Sequence, residues 1–284
     1  MTDETSDRVD RPGPLLPGRV ALVTGAAGGI GAATARLFAE HGAHVVVVDV
    51  AAERTTTTVA DITAAGGDAE GIIADVLAPE DVARVRDQVL GDHGRVDVLV
   101  NNVGHWVRQS RAFVDEDPGF WEELHQVNFV HVLHMTHAFL PSMIELGRGS
   151  IINVSSVEGL RGYPAGPVYG AYKAAVVQFT RSLAVQVGSA GVRVNGIAPD
   201  VTDSLQVPYD RMVPEDQRHL WPRWVPVGFM GVGRDQARVA LFLASDLSAF
   251  VTGHTLPTDG GTVAAGGWFR SERRAGWTNR PIDP

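Results

Sequence analysis

The chain has 284 residues, 44% of them hydrophobic and 20% charged, with a formal net charge of −9. This is the composition of a globular protein long enough for one large buried core, and the acidity leaves no basic stretch to neutralise the phosphates of a nucleic acid. The absence of cysteine excludes disulfides and thiol catalysis and suits a cytoplasmic location.

Residues 1–18, "MTDETSDRVDRPGPLLPG", are acidic, polar and proline-rich. They lack the basic start and apolar stretch of a signal peptide, and they are expected to form a flexible arm. No apolar run approaches the ~20 residues that span a bilayer, so no membrane partner is expected. From Arg19 onward, strand-like and helix-like segments alternate. "RVALVTG" is a short apolar run ending in glycine, and "IGAATARLFAEHG" has helical spacing with a glycine stop. "AHVVVVDV" is a β-branched run suited to a strand buried on both faces. "AERTTTTVADITAAGG" is a weaker helix, because four threonines lower its propensity. "AEGIIADV" reads as a strand, and "PEDVARVRDQVLGDHG" as a helix with a proline start and acids in its first turn.

"VDVLVNNVG" is a fourth strand. The 30 residues from Pro118 to Gly147 read as one long helix, followed by the strand "GSIINVSS". "VYGAYKAAVVQFTRSLAVQVG" is a second long helix and "GVRVNGIAP" a sixth strand. After an irregular stretch come the helix "RDQARVALFLASD" and the strand "GHTLPTDGG". Strict β-α alternation predicts a single α/β domain over residues 19–263, a doubly wound parallel sheet with right-handed crossovers. Ligands bind such sheets outside the C-terminal strand ends. Residues 201–232 are expected to form a lid over that end, and 264–284 a C-terminal extension.

"VTGAAGGIG" follows the first strand and opens the first helix. Gly25, Gly29 and Gly31, with Ile30 between the last two, let the backbone turn tightly and approach a pyrophosphate at a helix N-terminus. That placement points to a Rossmann-type dinucleotide site. Asp49 ends the second strand, where a carboxylate hydrogen-bonds ribose hydroxyls and repels a 2′-phosphate, which favours NAD over NADP. Arg54 lies in the next helix and is expected at the surface.

These motifs continue with Asp75-Val76, "NNVG" at Asn101 to Gly104, Asn128, Ser156, Tyr169 and Lys173, "NGIAP" and "TDGG". Together the chain from about Arg19 to Gly261 resembles the classical short-chain dehydrogenases/reductases. The resemblance implies that Asp75 and Val76 border the adenine. Asn101 and Gly104 would shape the cofactor floor, with Asn102 among the cofactor-binding residues. Asn128 would hold a water in a proton relay, Ser156 would bind the substrate oxygen, Tyr169 would be the acid/base, and Lys173 would hold the nicotinamide ribose. Ile197 and Thr202 would touch the nicotinamide end. One departure is Asp200, where the family has glycine; Asp tolerates positive φ, so the loop is expected to survive.

Lys173 is the sole lysine among 24 Lys and Arg residues. On a helix it shares a face with Tyr169 at i−4, whereas Tyr172 points elsewhere. A tyrosine titrates near ~10 and a useful acid/base near ~7, a gap of about 4 kcal/mol. One positive charge ~4 Å away supplies about that at an effective dielectric of ~20.

No metal is expected: His131, His134 and His137 recur at i+3 steps, but no Cys, Asp or Glu completes the spacing. They are expected on a half-buried or interface face of the helix. His105 and Trp106 are expected in a pocket wall. Tyr209, Trp221, Trp224 and Phe229 suggest an apolar pocket under the lid. The tail tryptophans Trp268 and Trp277 are expected to pack on the lid or on a neighbouring subunit. The resemblance implies an NAD(H)-dependent oxidoreductase interconverting a secondary alcohol and a ketone by hydride transfer, on an apolar or cyclic small-molecule substrate, assembled as a homotetramer. The alternatives are a 3-ketoacyl thioester reductase, a non-redox lyase and an NAD-binding regulator.

Overall fold

The structure, a computed structural model, describes residues 13–106, 113–204, 206–208, 213–267, 269–271 and 276–278. Five β-α steps and a sixth strand come first. They are β1 (Val20–Thr24), α1 (Gly29–Glu40), β2 (His44–Asp49), α2 (Ala52–Ala64), β3 (Asp68–Ile73), α3 (Pro79–His93) and β4 (Val98–Asn101), then α4 (Pro118–His125), α5 (His131–Leu146), β5 (Gly149–Val154), α6 (Pro167–Val187) and β6 (Val192–Pro199). After an excursion, the chain finishes the core with α8 (Gly233–Ala244) and β9 (Thr255–Thr258). The excursion holds β7 (Thr202–Asp203), α7 (Trp221–Trp224) and β8 (Gly231–Val232). A four-residue helix, α9 (Thr262–Ala265), and two short strands, β10 (Phe269–Arg270) and β11 (Trp277–Thr278), complete the described chain.

Seven strands form one parallel sheet in the order β3-β2-β1-β4-β5-β6-β9. The order reverses between β1 and β4, so the crevice for a ligand opens at their C-terminal ends. Strand β2 shows why its four consecutive valines are tolerated. Val45 and Val47 face one apolar layer with α1 and α8, and Val46 and Val48 face the other with α3, α5 and α6. A strand covered on both faces needs apolar residues at every position. Phe38 of α1 and Phe139 of α5 are fully buried, one in each layer. Truncating such a side chain to alanine costs about 3–5 kcal/mol.

The single long helix expected from Pro118 is interrupted. Gln126–Val130 forms a π-helical turn between α4 and α5. One extra residue in that turn rotates α5 about its axis relative to α4, and such turns recur at functional sites. Asn128 sits in that turn, fully buried. No glycine or proline marks the interruption in the sequence, so the apolar helical pattern reads straight through it.

Residues 1–12 of the expected arm lie outside the described residues. From residue 13 the chain is part of the domain: Leu16 is fully buried, and its N–H donates to the carbonyl of His41 at 2.9 Å. The lid segment is pinned at its base by the parallel pairing of β7 with β8, Thr202 opposite Gly231. Tyr209 lies outside the described residues. The tail strands β10 and β11 pair antiparallel, and β10 lies against α7 of the lid. Trp268 lies outside the described residues, while Trp277 contributes its backbone to β11. Among the described residues no helix is long and apolar enough to cross a membrane.

Candidate active site

A cavity of about 670 Å³ opens at the C-terminal ends of β1, β2, β4, β5 and β6. Its dinucleotide end is the turn from β1 into α1. Gly25 and Gly29 have φ of 63° and 53°, a left-handed region that side chains other than glycine's rarely enter. Gly31 lies beneath the turn rather than in the cavity wall. A Cβ there would stand 2.2 Å from the Gly25 carbonyl oxygen and 2.5 Å from the Asn102 amide nitrogen. Gly31 is therefore a packing requirement that allows the turn to close. Asn102 holds it from β4, donating to the carbonyls of Thr24 at 3.0 Å and Gly25 at 3.1 Å.

Asp49 lines the cavity next to this turn. Its carboxylate accepts from the N–H of Ala27 at 3.0 Å and of Ala51 at 3.0 Å. These bonds fix a negative charge at the end of β2. Arg54, expected at the surface, is exposed, and it borders the same cavity from the first turn of α2. Ile30, Asp75 and Val76 also line this end. Asp75 caps its own turn, accepting from the N–H of Leu77 at 2.9 Å.

The other end holds Ser156, Tyr169 and Lys173. Ser156 follows β5 and accepts from the N–H of Glu158 at 3.2 Å. The Tyr169 hydroxyl hydrogen-bonds Ser156, and the Tyr163 ring meets the Tyr169 ring edge-on, centroids 6.1 Å apart. Lys173 is buried, with Nζ donating to the Val154 carbonyl at 3.2 Å and lying 5.8 Å from the centre of the Tyr169 ring. Tyr172 turns away and stacks on His125 at 5.0 Å. A Cβ on Gly104 would stand 2.7 Å from Lys173 Nζ, so only glycine leaves the ammonium its place.

The electrostatics differ from a simple Tyr-Lys charge pairing. Burial pushes the Tyr169 phenol up to about 12, assisted by the nearby Glu158 carboxylate and opposed by the Ser156 hydrogen bond. Burial also brings Lys173 down to about 8. Desolvation disfavours both charged forms, and here it outweighs the pairing assumed at ~4 Å.

Asn128 is fixed on both sides of its amide. Its amide donates to the carbonyls of His105 at 2.8 Å and Leu124 at 3.0 Å, and its oxygen accepts from the His105 N–H at 3.1 Å. One N–H donor thus holds the loop after β4, and the other bonds back to α4. Asn101 does not reach the cavity floor: it is buried beneath it, donating to Asn153 at 2.9 Å and Thr136 at 3.1 Å. Ile197 is likewise fully buried behind the wall, whereas Thr202 lines it. His105 and Trp106 are in the wall, as expected. The three helical histidines do not share a face. His131 is fully buried and held near a pKa of about 3 by burial, His134 is half-buried, and His137 is exposed.

The structure adds a cluster at the mouth. Arg161 lies 3.0 Å from Glu158 and 3.0 Å from Asp200, and Thr262 donates to the same Asp200 oxygen at 2.5 Å. Asp200 does not take the positive φ expected of it. Val201 does, at 38°, a strained conformation for a β-branched residue. Asp200 accepts from the Val201 N–H at 2.9 Å and the Thr202 hydroxyl donates to its carbonyl at 2.7 Å, bonds that hold the strained turn. Asp200 and Val201 also border a second cavity of about 340 Å³, lined by Leu220, Trp221 and Trp224 of the lid. Glu158 and Arg161 are three residues apart, but Asp200 and Thr262 join them only through the fold.

Comparison with known proteins gives a consistent picture. A family profile described as Enoyl-(Acyl carrier protein) reductase matches residues 25–263. The 3-oxoacyl-[acyl-carrier-protein] reductase FabG of Thermotoga maritima is 36% identical, the match covering 87% of this chain and 99% of that one. The cis-4-hydroxycyclohexanecarboxylate dehydrogenase of Sinomonas cyclohexanicum is 38% identical over 89% of this chain and 99% of its own. A solved structure of a candidate NAD(P)-dependent gluconate 5-dehydrogenase from Beutenbergia cavernae, with NADP bound at low occupancy, superimposes with a TM-score of 0.81 at 34% identity. It covers 89% of this chain and 100% of that chain.

Proposed function

Because the chain belongs to the short-chain dehydrogenase/reductase family and is an oxidoreductase on a nicotinamide-binding fold, we propose that it uses NAD(H) to interconvert a secondary alcohol and its ketone. The observation that carries this reading is one cavity with the glycine turn and Asp49 at one end and Ser156, Tyr169 and Lys173 at the other. A nicotinamide bound across it supplies the hydride acceptor or donor. Asp49 would receive the adenosine ribose hydroxyls, and Asp75 and Val76 would border the adenine. Lys173 would hold the nicotinamide ribose, with Gly104 leaving room for its ammonium and Thr202 bordering the nicotinamide end.

In the reductive direction, Tyr169 donates its phenolic proton to the carbonyl oxygen as hydride arrives at the carbon. Ser156 hydrogen-bonds the same oxygen and stabilises the developing alkoxide. In the oxidative direction Tyr169 accepts the hydroxyl proton. Asn128 acts here as a positioning residue, fixing the His105 backbone beside the reacting centre.

For the substrate we favour a small apolar or cyclic alcohol. The lid cavity offers Leu220, Trp221 and Trp224, and one relative is named for a hydroxycyclohexane carboxylate. The FabG relative favours a second reading, a 3-ketoacyl thioester reductase. Against it stands the mouth, where Glu158 and Asp200 share the single Arg161 on a chain of net charge −9; an acidic carrier protein would meet repulsion. A panel of cyclic and acyclic secondary alcohols and a 3-ketoacyl thioester, followed by nicotinamide absorbance, separates the readings. Turnover of the thioester alone would overturn our choice. Cofactor binding without turnover of any compound would leave the regulator reading.

Apolar residues stand exposed on α5 and α6, namely Ile144, Leu146 and Val185. With the family's helix-paired assembly as precedent, they support a homotetramer of two-fold symmetry. Light scattering should give four times the chain mass at micromolar concentration; a monomer would refute it.

A further inference from the structure

We infer that this protein carries a second, structural site for a borderline divalent transition metal such as Zn²⁺, built by His44, Glu70 and His93 at the end of the sheet opposite the active site. The three residues come from separate elements: the first residue of β2, the third of β3 and the last of α3. Their candidate ligand atoms all lie within 4.8 Å of one another. Glu70 Oε1 is 2.9 Å from His93 Nε2 and 3.8 Å from His44 Nε2. Tetrahedral zinc with bonds of ~2.0–2.1 Å sets its ligands about 3.3 Å apart, so side-chain adjustments of well under a rotamer change bring the set to bonding distance.

Two observations distinguish this from an ordinary surface ion pair. First, His44 Nδ1 lies 2.9 Å from the Asp68 carboxylate. Donation of the Nδ1 proton to Asp68 fixes the tautomer, leaves the Nε2 lone pair free, and reproduces the carboxylate–histidine–metal arrangement of known sites. Second, His44 Nε2 is buried and has no hydrogen-bond partner. An acceptor nitrogen turned towards a carboxylate and a second imidazole lacks a donor, and a cation supplies what is missing. The rings of His44 and His93 stand 4.4 Å apart and tilted by 42°, so both can address one point without stacking flat. Two imidazoles and one carboxylate select zinc, cobalt or nickel over magnesium or calcium. His44, Glu70 and His93 are each partly exposed, which leaves room for water as a fourth ligand.

The site would bind β2, β3 and α3 together. Asp49, at the cofactor end of β2, is five residues from His44, about 16 Å along a strand. The metal is therefore a cross-link, and its contribution is to stability.

The test is a Zn²⁺ titration of tag-free protein in a non-coordinating buffer, by calorimetry and by thermal unfolding. We expect one ion per chain with a Kd in the micromolar range or below. At about a hundredfold excess over Kd, Tm should rise by about 5 °C or more, with no response to Mg²⁺. His93→Gln keeps a hydrogen bond to Glu70 but loses the imidazole ligand; it and His44→Gln should each weaken binding by at least about tenfold and remove the Tm rise. Should either fail to fold, Glu70→Gln reads the third ligand. The chain has ten histidines, so stoichiometric zinc binding that persists in the His44→Gln/His93→Gln double variant would place the ion elsewhere and overturn the inference. Absence of stoichiometric binding to the unmodified protein would overturn it equally.

Discussion

Tyr169→Phe is expected to lower kcat by about a hundredfold or more, the usual loss when a general acid/base is removed, with NAD(H) affinity largely retained. The ring still fills its place against Tyr163, and only the hydroxyl that bonds Ser156 is gone. Tyr172→Phe is the control: that ring stacks on His125, and its substitution should leave kcat nearly unchanged. The phenol at about 12 sets the pH dependence. Reduction consumes the protonated form, which predominates at every pH below that value, so Tyr169 imposes no limb on ketone reduction near neutrality. Oxidation requires the phenolate, so its rate should climb by about tenfold per pH unit until the apparent pKa of the ternary complex is reached. The Lys173 ammonium and the positive charge of oxidised nicotinamide both act to bring that break below 12. The rising limb should vanish in Tyr169→Phe. Equal kcat losses in the two phenylalanine variants would sink the assignment.

The parts of this site that were legible from sequence are those where local chemistry forces the residue. Gly25 and Gly29 mark a left-handed turn, and the pair Tyr169 and Lys173 share a helix face whatever the fold does around them. The β-α alternation was legible for the same reason, since a parallel strand covered on both faces must be apolar throughout, as β2 is. The features that escaped depended on long-range placement. Nothing near Asn128 announces a π-helical turn, because the choice between α and π geometry is made by what the helix packs against. Nothing near Asp200 says that Val201, one residue later, takes the positive φ. The Asp200 carboxylate is held by Arg161 and Thr262, which are 39 and 62 residues away.

At Lys173 the sequence misled in a different way. The i, i+4 spacing correctly put Lys173 on the face of Tyr169, but a Coulomb energy at an assumed ~4 Å ignores the desolvation that accompanies it. In the structure Nζ is 5.8 Å from the ring centre, and both groups are buried. Burial has raised the phenol, and the Ser156 hydrogen bond opposes that rise. Of the lysine's own proton donors one meets the Val154 carbonyl, Gly104 leaves the ammonium its place, and we propose that the other donors serve the hydroxyls of a bound ribose. Metal ligands escaped for the reason Asp200 did. His44, Glu70 and His93 span 50 positions of sequence, and no spacing rule connects them.

The enzyme is expected to prefer NAD(H) to NADP(H) by about tenfold to a hundredfold in kcat/KM, and the reason lies in two opposed charges at one end of the cavity. Asp49 is held in place by two backbone N–H donors, from Ala27 and Ala51. A 2′-phosphate about 5 Å from that carboxylate meets roughly 3 kcal/mol of repulsion per unit charge at an effective dielectric of ~20. It also displaces a ribose hydroxyl that could have donated to the carboxylate. Arg54 acts in the other direction from the first turn of α2, but its side chain is exposed, and solvent and salt screen its attraction. A fixed charge beside the ribose therefore outweighs a solvated one at the rim. Asp49→Asn tests the balance, since it removes the charge and keeps a side-chain oxygen for one backbone donor. The NAD preference should then fall towards unity, while Arg54→Ala should widen it in the unmodified background. Equal use of both cofactors by the parent enzyme would mean that Arg54 offsets Asp49, and the NAD reading would fail; a ratio unchanged in Asp49→Asn would mean that Asp49 is not the source of the preference.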